Sequence, residues 1–336
     1  MTQEIKILVL HNASSIKEED GVEVYHPYSQ DLEIVRTIKK LPYKIISAFY
    51  EEGNIKDLAK DQDLIFNLCD AFESPEDEIK MIQELEENKI PYTGNSSLTS
   101  INCQDKFVLK NILKLNKIKT PEGQLFKDIN QKLEENLIFP LILKPIGEDG
   151  SEGIDEDSIV FNEEGLRKKL SELFVNFKKG VLAEEYIEGR EFNVPIIGNE
   201  TPFALPLLEI DYNEHFDNKP KILTYKAKWS KNSNAFKNTY SNVAKINDDV
   251  EDKIDSVAVK AYKTAKCTGY GSIDLRMNDK GEIFVIEVNP NCYLAPESDI
   301  VKAARHAHIS YEQLLDHIIK SAIEKFNLQK ESVILK

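Results

Sequence analysis

The sequence is poor in the features that mark several large protein classes. Its four cysteines, Cys69, Cys103, Cys267 and Cys292, are far apart and form no CxxC pair. Such spacing favours buried thiols in a reducing cytoplasm over a zinc site or disulfides. No apolar run approaches the ~20 residues of a membrane-spanning helix. The first ten residues, MTQEIKILVL, turn polar at His11-Asn12. That run is too short for a signal peptide and lacks a cleavage site, so a cytoplasmic protein is expected. No GxGxxG follows the first apolar run, and no glycine loop ends in Gly-Lys-Ser/Thr. A dinucleotide fingerprint and a Walker loop are therefore excluded. Basic residues are also short: 43 against 58 acidic ones, a formal charge of −15. This disfavours a nucleic-acid binder, which needs a basic face. There is no internal repeat and no low-complexity segment.

What is present is an ordinary globular composition, with 41% apolar and 30% charged residues in a 336-residue chain. That length suits two or three domains. The most informative stretch runs from Gly271 to Asn291, GSIDLRMNDKGEIFVIEVNPN. Two alternating runs joined by Asn278-Asp279-Lys280-Gly281 read as a β-hairpin. Alternation puts Ser272, Asp274 and Arg276 on one face and Ile273, Leu275 and Met277 on the other. In the second strand Val285, Glu287 and Asn289 share a face, opposed by Phe284, Ile286 and Val288. Counting across the turn brings Asp274 close to Glu287. Carboxylates so placed repel unless a cation lies between them. Hard oxygen ligands of this kind suit Mg²⁺, which takes further ligands from water and phosphates. A solvated surface hairpin is the alternative on this stretch alone.

Upstream, Ile5–Leu10 reads as a buried parallel strand. Helical spacing covers 31–41, and strands are expected at 43–49 and 63–68. Pro75–Asn88 reads as an amphipathic helix, so the opening is an open α/β layer. A turn at Ile90-Pro91-Tyr92-Thr93-Gly94 precedes one helical stretch to about Asn116, carrying Asp105 and Lys106. Strand-like Leu141–Leu143 leads into Lys144-Pro145 and a glycine loop with Gly147, Gly150 and Gly153. The loop is either a plain hairpin turn or a flap whose N–H groups close over phosphates. Asp157–Phe161 reads as a strand and 163–174 as a helix. VLAEEY (181–186) crowds two glutamates into a strand, which fits an exposed edge or a binding site. Phe203–Ile210 continues the sheet, and Lys226 and Lys228 flank Ala227 beside Trp229, the only tryptophan. Residues 248–266 form an amphipathic helix. Ser298 and Ser310 are candidate helix caps, and His306, His308 and His317 read as helix residues rather than metal ligands.

The order of these pieces resembles the ATP-grasp superfamily, and more closely the D-alanine–D-alanine ligases, as a divergent branch. The matching landmarks are IPYTG (90–94), DK (105–106), KPxxEDGSxGI (144–154), EEYIEGREF (184–192), AKW (227–229) and the hairpin. They span most of the chain after about residue 60. The resemblance implies an α/β (α+β) fold: an open parallel α/β domain (1–95), a lid subdomain (96–180) and a C-terminal subdomain with the metal site (181–336), the last two sandwiching ATP. It implies that Lys106 and Lys144 bind phosphates and that Glu184 faces the adenine amino group. Tyr186 and Ile187 would line the purine with their backbone, and Glu191 would hold the ribose. Lys228 would reach the terminal phosphate, and Gly150 and Ser151 would cover it. Asp274, Glu287 and Asn289 would bind two Mg²⁺ ions, with Mn²⁺ as a substitute. A homodimer is implied, with no nucleic-acid or membrane partner.

The implied activity is ATP-dependent joining of an acid to an amine through an acyl phosphate, with amino-acid-like substrates. The departures concern the acceptor. Trp229 stands where the ligases have tyrosine, Gly150 where they have serine, and Ser272 where they have arginine. Arg276, on the same strand face, is the candidate substitute for that arginine and so a candidate catalytic residue with Lys228 and Ser151. Tyr293 stands in place of a glycine. The N-terminal substrate motif is replaced by HNASSIKEED, and a His-Gly stretch by NLCDAFES. Tyr293 and Ser298, with His11 and Glu23, are candidate substrate contacts. A D-alanine–D-alanine ligase proper and a non-catalytic ATP-binding protein are the alternatives.

Overall fold

The computed structural model describes residues 4–19, 22–27, 29–70, 72, 74–148, 150–213, 216 and 220–328, with only the backbone described for 13–19, 22–27, 29 and 30. The chain opens with β1 (Lys6–His11), a hairpin of β2 (Ala13–Glu19) and β3 (Val22–Pro27), and α1 (Ser29–Ile38). β4 (Lys44–Phe49), α2 (Ile55–Ala59), β5 (Leu64–Leu68) and α3 (Pro75–Glu87) follow. β1 lies between β4 and β5, parallel to both. Its unbroken apolar run is explained by burial on both faces. Ile7 and Val9 pack with Ile34 and Ile38, while Leu8 and Leu10 pack with Ile55, Met81 and Leu85. The β2–β3 hairpin adds to the expected alternation. Glu23 falls in it, and its side chain lies outside the described residues.

The single helix expected up to Asn116 is two, α4 (Ser97–Gln104) and α5 (Lys106–Leu115). Asp105 between them is extended, and its carboxylate accepts from the N–H groups of Phe107 and Val108. A capping side chain thus ends one helix and starts the next, a break that apolar spacing does not register.

The second layer is an antiparallel sheet in the order β6–β9–β7–β8, built from β6 (Gly123–Phe126), β7 (Leu141–Pro145), β8 (Ile159–Val160) and β9 (Val181–Glu185). α6 (Glu163–Asn176) covers it with Leu166, Leu170 and Leu173. β9 is interior, so Glu184 does not lie on an edge strand.

The third layer comprises β10 (Arg190–Ile197), β11 (Phe203–Ala204), β12 (Leu208–Tyr212), short helices α7 (Tyr225–Trp229) and α8 (Asn234–Lys237), β13 (Thr239–Val243), α9 (Asp248–Thr264), β14 (Tyr270–Met277) and β15 (Ile283–Asn289). Its strands run β13–β12–β10–β14–β15, with β11 paired to β10. The strand expected over 203–210 is split between β11 and β12. α9 buries Ile254, Ala258, Ala261 and Tyr262 against β10, β14 and β15. The last helices, α10 (Asp299–His306) and α11 (Tyr311–Lys325), return to the first layer. Val301, Leu315 and Ile319 join the same core as Ile7 and Val9. Ser310 caps α11 through a reciprocal bond with Gln313, whereas Ser298 at the start of α10 makes no side-chain cap bond. His306, His308 and His317 are exposed.

The β14–β15 hairpin departs from strict alternation at one point. Asp274 faces Glu287, but Leu275 faces Val285, so Ile286 is bulged out between them. A bulge sets two residues against one and shifts the faces beyond it. Val285 therefore joins Ile273, Leu275 and Val288 in the core rather than sharing a face with Glu287.

Candidate active site

Between the second and third sheets lies a cavity of about 820 Å³. Its walls bring together residues from β7, β9, β10, α7, β14 and β15. Asp274, Glu287 and Asn289 stand at one place on its floor. Asp274 Oδ1 accepts from Asn193 Nδ2 at 2.6 Å, and its Oδ2 accepts from Asn289 Nδ2 at 3.0 Å. Burial and the neighbouring Glu287 push the Asp274 carboxyl up to about 6. For Glu287 burial acts upward as well, but Lys106, Lys228 and Lys144 bring the carboxyl below its ordinary value. Lys106 Nζ lies 3.0 Å from Glu287 Oε1 and donates to the Glu148 carbonyl at 2.6 Å. Among the described residues no three His, Cys, Asp or Glu side chains cluster as a metal cage. Two opposed carboxylates with one Asn fit instead a hard cation that completes its shell from water and phosphate. A cation there would offset the burial and the Glu287 charge that raise the Asp274 carboxyl.

Glu184 is the most buried charge in the site. Its side chain is 2% exposed and lies 2.6 Å from both Lys110 Nζ and Lys144 Nζ. Burial alone would raise its carboxyl; the two lysines hold it at about 2. Lys110 also donates to Thr120 Oγ1 at 2.8 Å. This lysine was not singled out from the sequence. The available signal is its place one turn after Lys106 on α5, which puts both ammonium groups on one helix face.

At the far side of Glu184, Tyr186 and Ile187 lead out of β9 towards Glu191. Glu191 Oε2 accepts from the Tyr212 hydroxyl at 2.8 Å and lies 3.1 Å from Arg276 Nη2. Arg276 Nη1 donates to the Ile187 carbonyl at 2.9 Å, and its guanidinium sits 4.9 Å from the Tyr186 ring centroid. Arg276 does share the cavity face of β14 with Asp274. Its contacts, however, are with the residues expected at the purine and ribose, not with the groups around Ser272. Four residues along a strand, from Ser272 to Arg276, separate two side chains by about 13 Å.

The glycine loop after β7 reaches over the cavity. Gly150 has φ +61° and Ser151 φ +66°. Trp229 Nε1 donates to the Gly150 carbonyl at 2.9 Å, joining the loop to α7. A Cβ at Gly150 would lie 3.2 Å from Trp229 Nε1, so the indole would have to give by a few tenths of an ångström. Lys228, the residue before Trp229, lines the same wall. Its charge acts on both Asp274 and Glu287.

The opposite end of the cavity is formed by Tyr293, Ser298 and acidic side chains. Tyr293 is 48% exposed, and Ser298 Oγ is buried with no hydrogen-bond partner among the described residues. Asp70, Glu78, Glu297 and Asp299 line this end. His11 is not brought to the cavity. It is buried beside Phe49, ring centroids 4.6 Å apart. Asn193 and Tyr212, which hold Asp274 and Glu191, also went unremarked in the sequence, because their roles depend on strand pairing with β14 and β10.

Comparison with known proteins agrees with this arrangement. Residues 111–320 match the family model described as D-ala D-ala ligase C-terminus. The D-alanine–D-alanine ligase A of Bacillus cereus is 30% identical over 246 residues, covering 72% of this chain and 75% of its own. An uncharacterized protein of Sinorhizobium fredii, y4sG, is 28% identical over 269 residues, 80% of this chain and 77% of that one. The crystal structure of D-alanine–D-alanine ligase from Bacillus anthracis complexed with ATP has a TM-score of 0.72 at 24% identity, covering 97% of this chain and 100% of that one. The three layers, with the cavity between the second and third, thus have the fold of an ATP-grasp ligase. The chain belongs to the D-alanine–D-alanine ligase family.

Proposed function

We propose that the chain is an ATP-dependent, ADP-forming ligase that joins a carboxylic acid to an amine, both amino-acid-like, as an amide. The observation that supports this most is the convergence of Asp274, Glu287 and Asn289 with Lys144 and Lys228 on one cavity, with Lys106 paired to Glu287 behind them. An acid substrate's carboxylate oxygen attacks the γ-phosphorus of ATP, and the bond to the ADP oxygen breaks. The amine then attacks the acyl carbon of the acyl phosphate. Phosphate leaves, and the nitrogen loses a proton. Both steps gather negative charge on oxygens. Fixed lysines offset that charge in a site that excludes bulk water. When bound, Mg²⁺ at Asp274, Glu287 and Asn289 supplies further charge neutralisation on the phosphates. Lys144 and Lys106 hold the phosphates, Glu184 the adenine edge and Glu191 the ribose. The loop at Gly150 and Ser151, latched by Trp229, keeps water from the acyl phosphate.

The acceptor end supports a substrate pair other than two D-alanines. Trp229, Gly150, Ser272 and Tyr293 rebuild the places at which the family clamps its substrate, while the nucleotide and metal residues are kept. The division into 1–95, 96–180 and 181–336, a homodimer and a cytoplasmic site of action belong to the same reading, as does the absence of nucleic-acid and membrane partners. Among the described residues no helix is long and apolar enough to cross a membrane. The test is ATP-dependent phosphate release with Mg²⁺, over D- and L-amino acids singly and in pairs, with products read by mass. A pair that yields ADP, phosphate and a product lighter by one water bears the reading out. Wild-type turnover in Asp274→Ala removes the metal assignment, and silence with every pair while ATP binds returns the chain to a nucleotide-binding role.

A further inference from the structure

Arg276 is 5% exposed, yet it belongs to the cavity wall. Its guanidinium is held by the carbonyl groups of Ile187 and Lys221 and by stacking near Tyr186. Fixed in this way, it can fix Glu191 in turn. Arg276 Nη2 and the Tyr212 hydroxyl both meet Glu191 at Oε2, at 3.1 Å and 2.8 Å. Oε1 accepts from no side chain among the described residues. A carboxylate locked through one oxygen presents the other at a set position, and the Glu191 side chain is 18% exposed on the cavity wall. The same cavity is lined by the apolar side chains of Ile142, Ile154, Ile210 and Ile222. An apolar slot edged by a fixed anionic acceptor suits a flat ring joined to a sugar whose hydroxyls donate hydrogen bonds.

We propose that Arg276 is the positioning residue for nucleotide selectivity: by locking Glu191 it makes the site read the ribose hydroxyls, so that a ribonucleotide is favoured over its deoxy counterpart. This rests on the nucleotide reading given above. A hydroxyl that donates to a charged acceptor is worth more than one that donates to a neutral one. Its loss leaves the buried carboxylate facing no donor, and discrimination follows from that unpaired group. Without the guanidinium, Glu191 keeps only Tyr212 and is free to turn away, so the ribose and deoxyribose forms become equivalent.

The experiment is calorimetric binding of ATP and of 2′-deoxy-ATP and 3′-deoxy-ATP, with Mg²⁺, to the wild type, Arg276→Met and Arg276→Lys. No turnover is required. The wild type is expected to favour ATP over at least one deoxy form by about tenfold, or about 1.4 kcal/mol. Arg276→Met is expected to bring that ratio to within about twofold, and Arg276→Lys, which keeps the charge, to restore part of it. A residue that merely supports the fold would weaken all three nucleotides together and leave the ratio unchanged, and that result overturns the proposal. Equal binding of the three by the wild type overturns it as well. A wild type that binds none of them removes the nucleotide reading itself. Should Arg276→Met fail to fold, Glu191→Gln makes the same test, because it removes the charge of the acceptor and keeps its shape.

Discussion

Replacing Lys110 with methionine should destabilise the fold far more than an ordinary lysine substitution. The Lys110 side chain is 4% exposed and its partner Glu184 2% exposed. Methionine fills much the same volume, so little packing is lost. What remains is a buried carboxylate with Lys144 as its only cation, where it had two. Breaking a buried pair from one side costs about 3–5 kcal/mol, and the surviving lysine sets this case near the lower end. Removing both charged partners should cost less than the two single changes together. The assay is guanidinium unfolding of Lys110→Met, Glu184→Gln and the double variant, compared as a cycle. A coupling of at least about 1 kcal/mol is expected for groups in direct contact. The dependence on pH adds a second reading. In the wild type the Glu184 carboxyl is lowered from 4.5 to about 2, against the opposing effect of burial, by Lys110 and Lys144. Its contribution is therefore full above about 4.5 and is lost as pH falls towards about 2. In Lys110→Met the folded-state value rises, so that loss should be smaller and complete at a higher pH. Strict additivity in the cycle, with unchanged acid sensitivity, would refute the reasoning.

Two further outcomes follow from the same geometry. The Asp274 carboxyl sits at about 6, so a proton competes with the cation below that pH; Mg²⁺ affinity measured by calorimetry should fall about tenfold per pH unit there, and a flat profile from pH 7 to 5 would contradict the site. Gly150→Ala puts a Cβ at φ +61° and 3.2 Å from Trp229 Nε1; the left-handed backbone alone costs about 1–2 kcal/mol. The loop should then open from α7, and phosphate release without amide product should rise relative to ligation. An unchanged product-to-phosphate ratio would detach the latch from water exclusion.

The parts of this molecule that could be read from its sequence are those fixed by short-range periodicity. β1 announced itself as an apolar run because both its faces are covered, and the β14–β15 hairpin did so through its turn and its alternation. The bulge at Ile286 was invisible because period-two counting assumes a regular ladder. It left Glu287 opposite Asp274 but sent Val285 to the core. Asp105 split a helix by capping it, which is a side-chain event within an otherwise helical pattern. The site was legible where motif residues keep their family places. It was not where a role depends on distant chain. Helical spacing places Lys110 on the same face of α5 as Lys106, but only Glu184, on β9, makes it a buried partner. Arg276 lies on the strand face that alternation assigns it, and its contacts with Ile187, Lys221 and Glu191 come from distant chain that a face alone does not name.

The lysines of the site also suggest what nucleotide binding must displace. Lys106 lies 3.0 Å from Glu287 and is held on its other side by the Glu148 carbonyl. It therefore occupies the charge position that a cation would take, next to an Asp274 carboxyl that Glu287 helps to raise. A cation and Lys106 compete for Glu287, whereas phosphate gives Lys106 an alternative partner. Binding of metal and triphosphate should then be cooperative: the anion draws the ammonium away as the cation arrives. Lys106→Met separates the two effects. It should strengthen Mg²⁺ binding without nucleotide, by about tenfold if the competing ion pair is worth about 1.4 kcal/mol, because Glu287 loses the lysine that is ion-paired to it. The same variant should bind Mg·ATP more weakly, through the lost phosphate contact. Calorimetry with the metal alone and then with ATP reads both changes. If Mg²⁺ affinity is unaltered or falls with that of ATP, Lys106 is no stand-in for the cation, and the cooperativity must be sought in the loop at Gly150.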